Sequence, residues 1–290
     1  MRADRPSLTA RVVALSRALA SETRAAVVDP GDEAVKQLLP VDLRMGLRAI
    51  KAAGLAPLAV RASLGFVDHI ALRAAILDQR IEQAIEQGIQ QVVILGAGLD
   101  TRAHRMECLE GADVYEVDHP STQRGKAAAA RELATVARKL VYVSVDFERE
   151  RLTDRLAQTG HLAHERTLWV LEGVVPYLSE GALFGLFAEL GAASPEGSRL
   201  VLTYVPANAK WLELSKPVLR VMLAIAGEPF QSPITDAALH ALLFQQGLIV
   251  EEDTGPETWA YQLHAPIDGR RIVAYERLVV ATKRERQAAR

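Results

Sequence analysis

The chain has 290 residues, with 34 Lys or Arg against 36 Asp or Glu and a formal net charge of −2. A chain of that length buries about 75% of its extended surface on folding, so no metal or disulfide staple is required. The balanced charge gives no reason to expect a nucleic-acid partner, and the single cysteine, Cys108, cannot pair within the chain and fits a reducing compartment.

The N-terminal run RVVALSRALASETRAAVV is broken by Arg17, Glu22 and Arg24 and does not read as a signal-peptide core. The later apolar run VLRVMLAIAG contains Arg220 and is too short to span a bilayer. Together these predict a soluble cytoplasmic protein with no membrane partner. Residues 1–90 have helical apolar spacing, as in TARVVALSRALASE and DHIALRAAILDQRIEQAIEQG, and are expected as a helical segment packing on the core.

From there short β-branched runs alternate with amphipathic ones. QVVIL (91–95), DVYEV (113–117), LVYVSV (140–145), TLWVLE (167–172) and SRLVLTYV (198–205) read as strands, with RGKAAAARELATVARK and LFGLFAELGAA as helices between them. That order predicts an α/β fold with a mostly parallel sheet covered on both faces. Residues 206–247, which hold Pro217, Pro229 and Pro233, interrupt the alternation and are expected as a helical cap inserted into a core spanning 91–290. LIVEED and RRIVAYERLVVATKR follow as two strands with no strong helix between them, predicting a closing hairpin.

The chemistry is concentrated around VVILGAGLDTRAHR. Gly96 and Gly98 follow the first strand, where the backbone must turn tightly and admit a ligand. Thr101 stands where a dinucleotide-binding turn has its third glycine. Glu116 and Asp118 end the second strand at a distance suited to ribose hydroxyls, and Asp146 and Glu172 end two later strands. So many carboxylates at one sheet edge would repel a pyrophosphate. They suit ribose, an adenine amine and a cationic tail, the parts of S-adenosylmethionine. The alternative for each is a solvated strand end or a helix cap.

The stretches LGAGLDTRAHRM, YEVDHPSTQRGK, VSVDFERE and LEGVVPYL resemble the leucine carboxyl methyltransferase-like family. Within it the likeness is to bacterial members associated with O-methylation in polyketide and other natural-product pathways. It extends to TARVVALSRA, VVDP and ALRAAILDQRIEQAI upstream and to ERLVVATKR downstream. The resemblance implies a Rossmann-like class I methyltransferase fold: a mostly parallel seven-stranded sheet with an antiparallel C-terminal strand. It also implies that Arg73 binds the methionine carboxylate, and that Gly96 and Gly98 lie beneath the methionine portion. Asp118, with Glu116 beside it, would meet the ribose, Asp146 and Phe147 the adenine, and Glu172 the methionine amino group. Tyr177 would face the acceptor.

Asp100 and Arg102, in place of the third glycine, are expected to stiffen the turn; the alternative is that Arg102 reaches the cofactor or acceptor. A carboxylate acceptor needs no general base, whereas a phenol benefits from one. His119 is the better placed of two histidines for that task, ahead of His104; both also read as structural or solvent-facing. Tyr177 is a hydrogen-bond donor to the acceptor or a half-buried tyrosine closing its turn. His161 and His164 have metal-pair spacing but no evident third ligand, so no metal is expected.

These readings predict an O-methyltransferase acting on a carboxylate or phenol of a small, polyketide-like molecule, aromatic acceptors included. Trp211, Met222, Phe230 and Trp259 each read individually as core residues, and together mark an acceptor region rather than individual contacts. The alternatives are a carboxyl methyltransferase of a protein C-terminus, a non-catalytic binding protein, and a nicotinamide-dependent oxidoreductase, the last disfavoured by Thr101. Oligomeric state is not legible.

Overall fold

Strand β1 (Gln91–Leu95) has five buried residues, because both faces of the sheet are covered and no solvent side requires alternation. The computed structural model describes residues 7–24, 26–207, 234–266 and 276–284. Beside β1 lie β2 (Asp113–Asp118) and β4 (Thr167–Leu171), both parallel to it, with β3 (Lys139–Ser144) and β5 (Arg199–Tyr204) outside them. The sheet order is β3-β2-β1-β4-β5-β7-β6. Strand β7 (Arg277–Lys283) runs antiparallel between β5 and β6 (Leu248–Thr254), so six strands share one direction and the C-terminal one opposes them.

Side chains alternate faces along each strand and so feed two cores. Val93, Leu95, Trp169 and Leu171 pack with α8 (Leu152–Gln158), α9 (Glu180–Ala192) and α10 (Asp236–Gln245). Val92, Ile94, Leu168 and Val170 pack with α5 (Phe66–Glu86) and α11 (Pro256–Gln262). A third cluster joins α5 to α1 (Leu8–Ala20), α2 (Val35–Leu38), α3 (Val41–Ala52) and α4 (Ala56–Ala62), through Ala14, Ala18, Val35, Leu47, Val60 and Ala71. Helix α5 is therefore shared. It gives Leu72, Ile76 and Ile81 to the sheet and Val67 and Ala71 to the N-terminal helices, which leaves His69, Arg73 and Asp78 buried near the strand tips.

Three expectations shift. The short helix α6 (Arg102–Arg105) follows the β1 turn, and the helix after β2 is α7 (Pro120–Ala129), which begins earlier than its apolar pattern suggests because Pro120 occupies its first turn and His119 caps it. Helix α11 separates the last two strands, where no strong helix was expected. Within the segment read as a cap, α10 packs Leu239, Leu242 and Leu243 into the sheet core, and Pro206 bridges to Ile234. Residues 208–233 lie outside the described residues, and Trp211, Met222 and Phe230 with them. Trp259 is wholly buried in the α5-side core and donates to the Thr254 hydroxyl at 3.2 Å, so it does not line an acceptor region.

Candidate functional site

The β1 tip turns through Gly96 (φ +65°) and Gly98 (φ +51°), a backbone region that side chains other than glycine rarely adopt. A Cβ at Gly96 would lie 2.4 Å from Val174 Cγ2, and one at Gly98 would lie 3.1 Å from Ala10 Cβ. The close approach that demands glycine is thus to the chain itself. The loop after β4 presses on one side of the turn and helix α1 covers the other. The Ala97 amide donates to the Val117 carbonyl at 3.0 Å and fastens the turn to β2.

At the β2 tip, Asp118 accepts the Gly98 amide at 2.5 Å and the His119 amide at 2.6 Å, one on each carboxylate oxygen. Burial raises its pKa above the ordinary value, against those two bonds. Val145 N donates to the Asp118 carbonyl at 2.9 Å, which sets Asp146 at the neighbouring tip. The Asp146 carboxylate is a quarter exposed, accepts the Glu148 amide at 3.1 Å and lies 4.0 Å from His119 Nε2. Phe147 beside it packs against the α9-side core.

Glu116 departs from its expected role. It sits two residues before Asp118 on the same face of β2, about 6.8 Å further inside. There it is fully buried and ion-paired with Lys126 of α7. Burial, outweighing the lysine, pushes its pKa up to about 7. Its carboxylate belongs to the interior and not to a ribose. His119 likewise serves the fold: Nδ1 accepts from the Ser121 amide at 3.3 Å and pairs with the Ser121 hydroxyl at 2.8 Å. Its strand and that of Tyr177 are separated by β1, which puts their tips about 10 Å apart. Tyr177 is half-buried in the short 3-10 turn Val175–Tyr177 that follows β4.

The β4 tip is held by ion pairs. Glu172 accepts Arg73 Nε at 3.0 Å and Arg102 Nη2 at 2.9 Å. Arg102, with no exposed side-chain surface, also donates to Asp78 at 2.7 Å and to Asp100 at 2.5 Å. Asp100 in turn accepts the Arg102 amide at 2.8 Å. The turn is therefore stiffened by Asp100 and Arg102, and Arg102 is wholly engaged in doing so. Arg105 joins Asp78 at 2.6 Å, and Asp32 receives the Thr101 hydroxyl at 2.6 Å and Arg17 at 3.2 Å. On the other side Arg73 Nη1 reaches both oxygens of Glu276 at 3.1 and 2.9 Å, and His69 lies 2.7 Å from the same carboxylate.

Burial works to raise these carboxyl pKa values, but the guanidiniums win. Glu172 is lowered, Asp100 is held far below the usual range, and Glu276 falls to about 2. Five carboxylates (Asp32, Asp78, Asp100, Glu172, Glu276) thus meet four guanidiniums (Arg17, Arg73, Arg102, Arg105). Of the negative rim inferred from sequence, Glu172 is neutralised by these guanidiniums and Glu116 by Lys126. Asp118 and Asp146 carry what remains of it.

Glu276, His69, Asp78 and Asp32 were not singled out from sequence, and Arg17 was noted only as a break in an apolar run. Each finds its partner far along the chain, and no local spacing announces the pairing. His161, weighed as a metal ligand, is buried between the Tyr115 and Trp169 rings, and burial lowers its pKa to about 4.

The groups at this edge fit S-adenosylmethionine chemically. Among the described residues Arg73 Nη2 has no hydrogen-bond partner, so a carboxylate can take it. Glu172 is an acceptor for an ammonium. Each Asp118 oxygen keeps a lone pair for a hydroxyl, since a carboxylate oxygen carries two. Asp146 Oδ2 remains for an amine. Among the described residues no helix is long and apolar enough to cross a membrane.

The fold and sequence have known counterparts. A structure from Thermobifida fusca, titled a "putative methyltransferase", matches with a TM-score of 0.63 at 17% identity, covering 97% of this chain and 96% of that one. A DUF574 family protein from Streptomyces avermitilis matches with a TM-score of 0.57 at 16% identity, over 79% of this chain and 91% of that one. These show the fold. A Streptomyces coelicolor protein named "Putative S-adenosyl-L-methionine-dependent methyltransferase" is 41% identical over 144 residues, 49% of this chain and 50% of that protein. A Mycobacterium avium protein of the same description is 36% identical over 201 residues, 68% of this chain and 66% of that protein. The chain thus spans about half the length of the first of these relatives and about two thirds of the second. The cofactor expected from the sequence is the one both descriptions name. The leucine carboxyl methyltransferase model matches residues 10–191, and the chain belongs to that family.

Proposed function

We propose that the protein is an S-adenosylmethionine-dependent methyltransferase whose acceptor is an oxygen, carboxylate or phenolate, of a small molecule. One observation carries the reading. Along the sheet edge Asp146, Asp118 and the pair Arg73–Glu172 stand at the tips of β3, β2 and β4 in the order adenine, ribose and amino acid. A zwitterionic amino-acid end needs a cation and an anion side by side, and Arg73 with Glu172 supplies both. A diphosphate would face Asp118 and Asp146, which no buried guanidinium among the described residues neutralises.

When bound, the cofactor supplies an electrophilic methyl group. The protein's part is alignment, worth about 7–11 kcal/mol over a bimolecular encounter. The Arg102 network fixes the Glu172 carboxylate, Asp118 holds the glycine turn, and Tyr177 offers its hydroxyl to an acceptor oxygen beyond the β4 tip. A carboxylate acceptor is already ionised at neutral pH and needs no general base.

Calorimetry with S-adenosylhomocysteine and with NAD tests the first half of the reading. Micromolar binding of the former alone is expected, and binding of NAD alone would refute it. Labelled methyl transfer to a panel of small carboxylates and phenols tests the second half; exclusive labelling of a peptide C-terminus would replace the small-molecule acceptor.

A further inference from the structure

Arg73 has five N–H donors in one rigid plane. Its Nε is committed to Glu172 and its Nη1 to both oxygens of Glu276. Fixing two corners of a planar fork fixes the third, and Nη2 is left beside Gly173, 3.9 Å from where a Cβ on that residue would stand. Glu172 holds one corner at the β4 tip. Glu276, directly before β7, holds the other from the far side.

Glu276 is itself held firmly. It is 4% exposed and receives His69 Nε2 from α5 at 2.7 Å. On the β4 side, the loop that carries Glu172 is tied to β5, where the Thr203 hydroxyl oxygen accepts the Gly173 amide at 3.0 Å.

We infer that Glu276, braced by His69, is a positioning residue that aims Arg73 Nη2 at the carboxylate of the cofactor's amino-acid end. The inference rests on the cofactor reading given above and adds residues to it. Glu276 touches no part of the ligand; it acts through the guanidinium. Its removal must therefore injure recognition of a carboxylate and spare recognition of the nucleoside.

Two probes separate these effects. S-adenosylhomocysteine carries the amino-acid end, and 5′-methylthioadenosine keeps the nucleoside and the thioether without it. In Glu276→Gln a single amide oxygen is left to serve both His69 and Arg73 Nη1, and the amide N–H2 can bond neither donor, so one corner of the guanidinium is held less firmly. Calorimetry is expected to find S-adenosylhomocysteine weakened about tenfold, the scale of one charge-assisted hydrogen bond, with 5′-methylthioadenosine binding as in the wild type. His69→Asn, which keeps both charges and loosens only Glu276, should show a smaller loss of the same selectivity. It also serves if Glu276→Gln does not fold.

Equal losses for both probes, or no loss for either, in a folded variant would overturn the inference while leaving the cofactor reading intact. A wild-type protein that binds 5′-methylthioadenosine and S-adenosylhomocysteine equally would also overturn it. A wild type that binds neither would remove the cofactor reading and this inference together.

Discussion

Arg17 Nη2 donates to the carbonyl oxygen of Leu99 at 2.6 Å, so the first helix is fastened to the middle of the glycine turn. The same guanidinium lies 3.2 Å from Asp32, which has no exposed surface. Arg17→Leu strands that buried carboxylate and frees the turn. Urea denaturation should register a loss of about 3 kcal/mol, and S-adenosylhomocysteine affinity should fall with it. Unchanged stability would mean that Thr101 and Arg105 satisfy Asp32 unaided.

Gly96→Ala combines a left-handed backbone with a collision against Val174, and should cost about 2 kcal/mol or more. A cycle with Val174→Ala separates the two effects. The double variant is expected to lose less than the sum of the singles, because the collision disappears while the backbone strain stays. Strict additivity would show that the turn had already moved away from Val174.

Glu116 and Lys126 form a wholly buried pair. Burial raises the Glu116 pKa from 4.5 to about 7, so between those values the folded state binds more proton than the unfolded one. Its contribution to stability therefore declines as pH rises through that window. Glu116→Gln alone leaves the lysine charge unpaired and should cost about 3 kcal/mol, whereas Glu116→Gln with Lys126→Met should be near neutral or stabilising. Urea midpoints at pH 4.5 and 7 are the measurement. The advantage of the double variant should be larger at pH 7, and an advantage larger at pH 4.5 would contradict the assignment.

His119 is predicted to be a cap and not a base. His119→Ala should lower stability by about 1 kcal/mol, and His119→Asn, which can still cap, should recover most of it. Methyl transfer to any acceptor found in the carboxylate and phenol panel should persist in both. A rate loss of about a hundredfold in both, with the fold intact, would restore His119 as the general base.

Much of this was legible in the sequence because strands covered on both faces advertise themselves. QVVIL matches β1 residue for residue, and TLWVLE overshoots β4 only by Glu172, which begins the tip. Asp118, Asp146 and Glu172 stand at one edge, since parallel strands bring their C-terminal ends together whatever separates them in the chain, and Arg73 reaches that edge from α5. What stayed hidden was partnership. Nothing in YEVDHP tells which of Glu116 and Asp118 stands at the strand tip against the glycine turn and which meets a lysine further along the chain; that depends on how α7 lies over β2. Glu276 was equally opaque, because its partners His69 and Arg73 come from α5, 207 and 203 residues earlier in the chain. The glycines were found for a reason that is only partly theirs: their immediate contacts are Val174 and Ala10, contributed by elements that no turn motif includes.

The burial of the guanidinium lattice has one more consequence, for behaviour in concentrated electrolyte. Mobile ions screen charges they can surround, over about 8 Å at physiological strength and less above it. They cannot surround Arg102, whose side chain has no exposed surface, or Glu276 at 5%. Brine that strips an ordinary surface pair of its attraction should leave the aim of Arg73 untouched, and recognition of a zwitterion should survive where recognition by exposed lysines would fade.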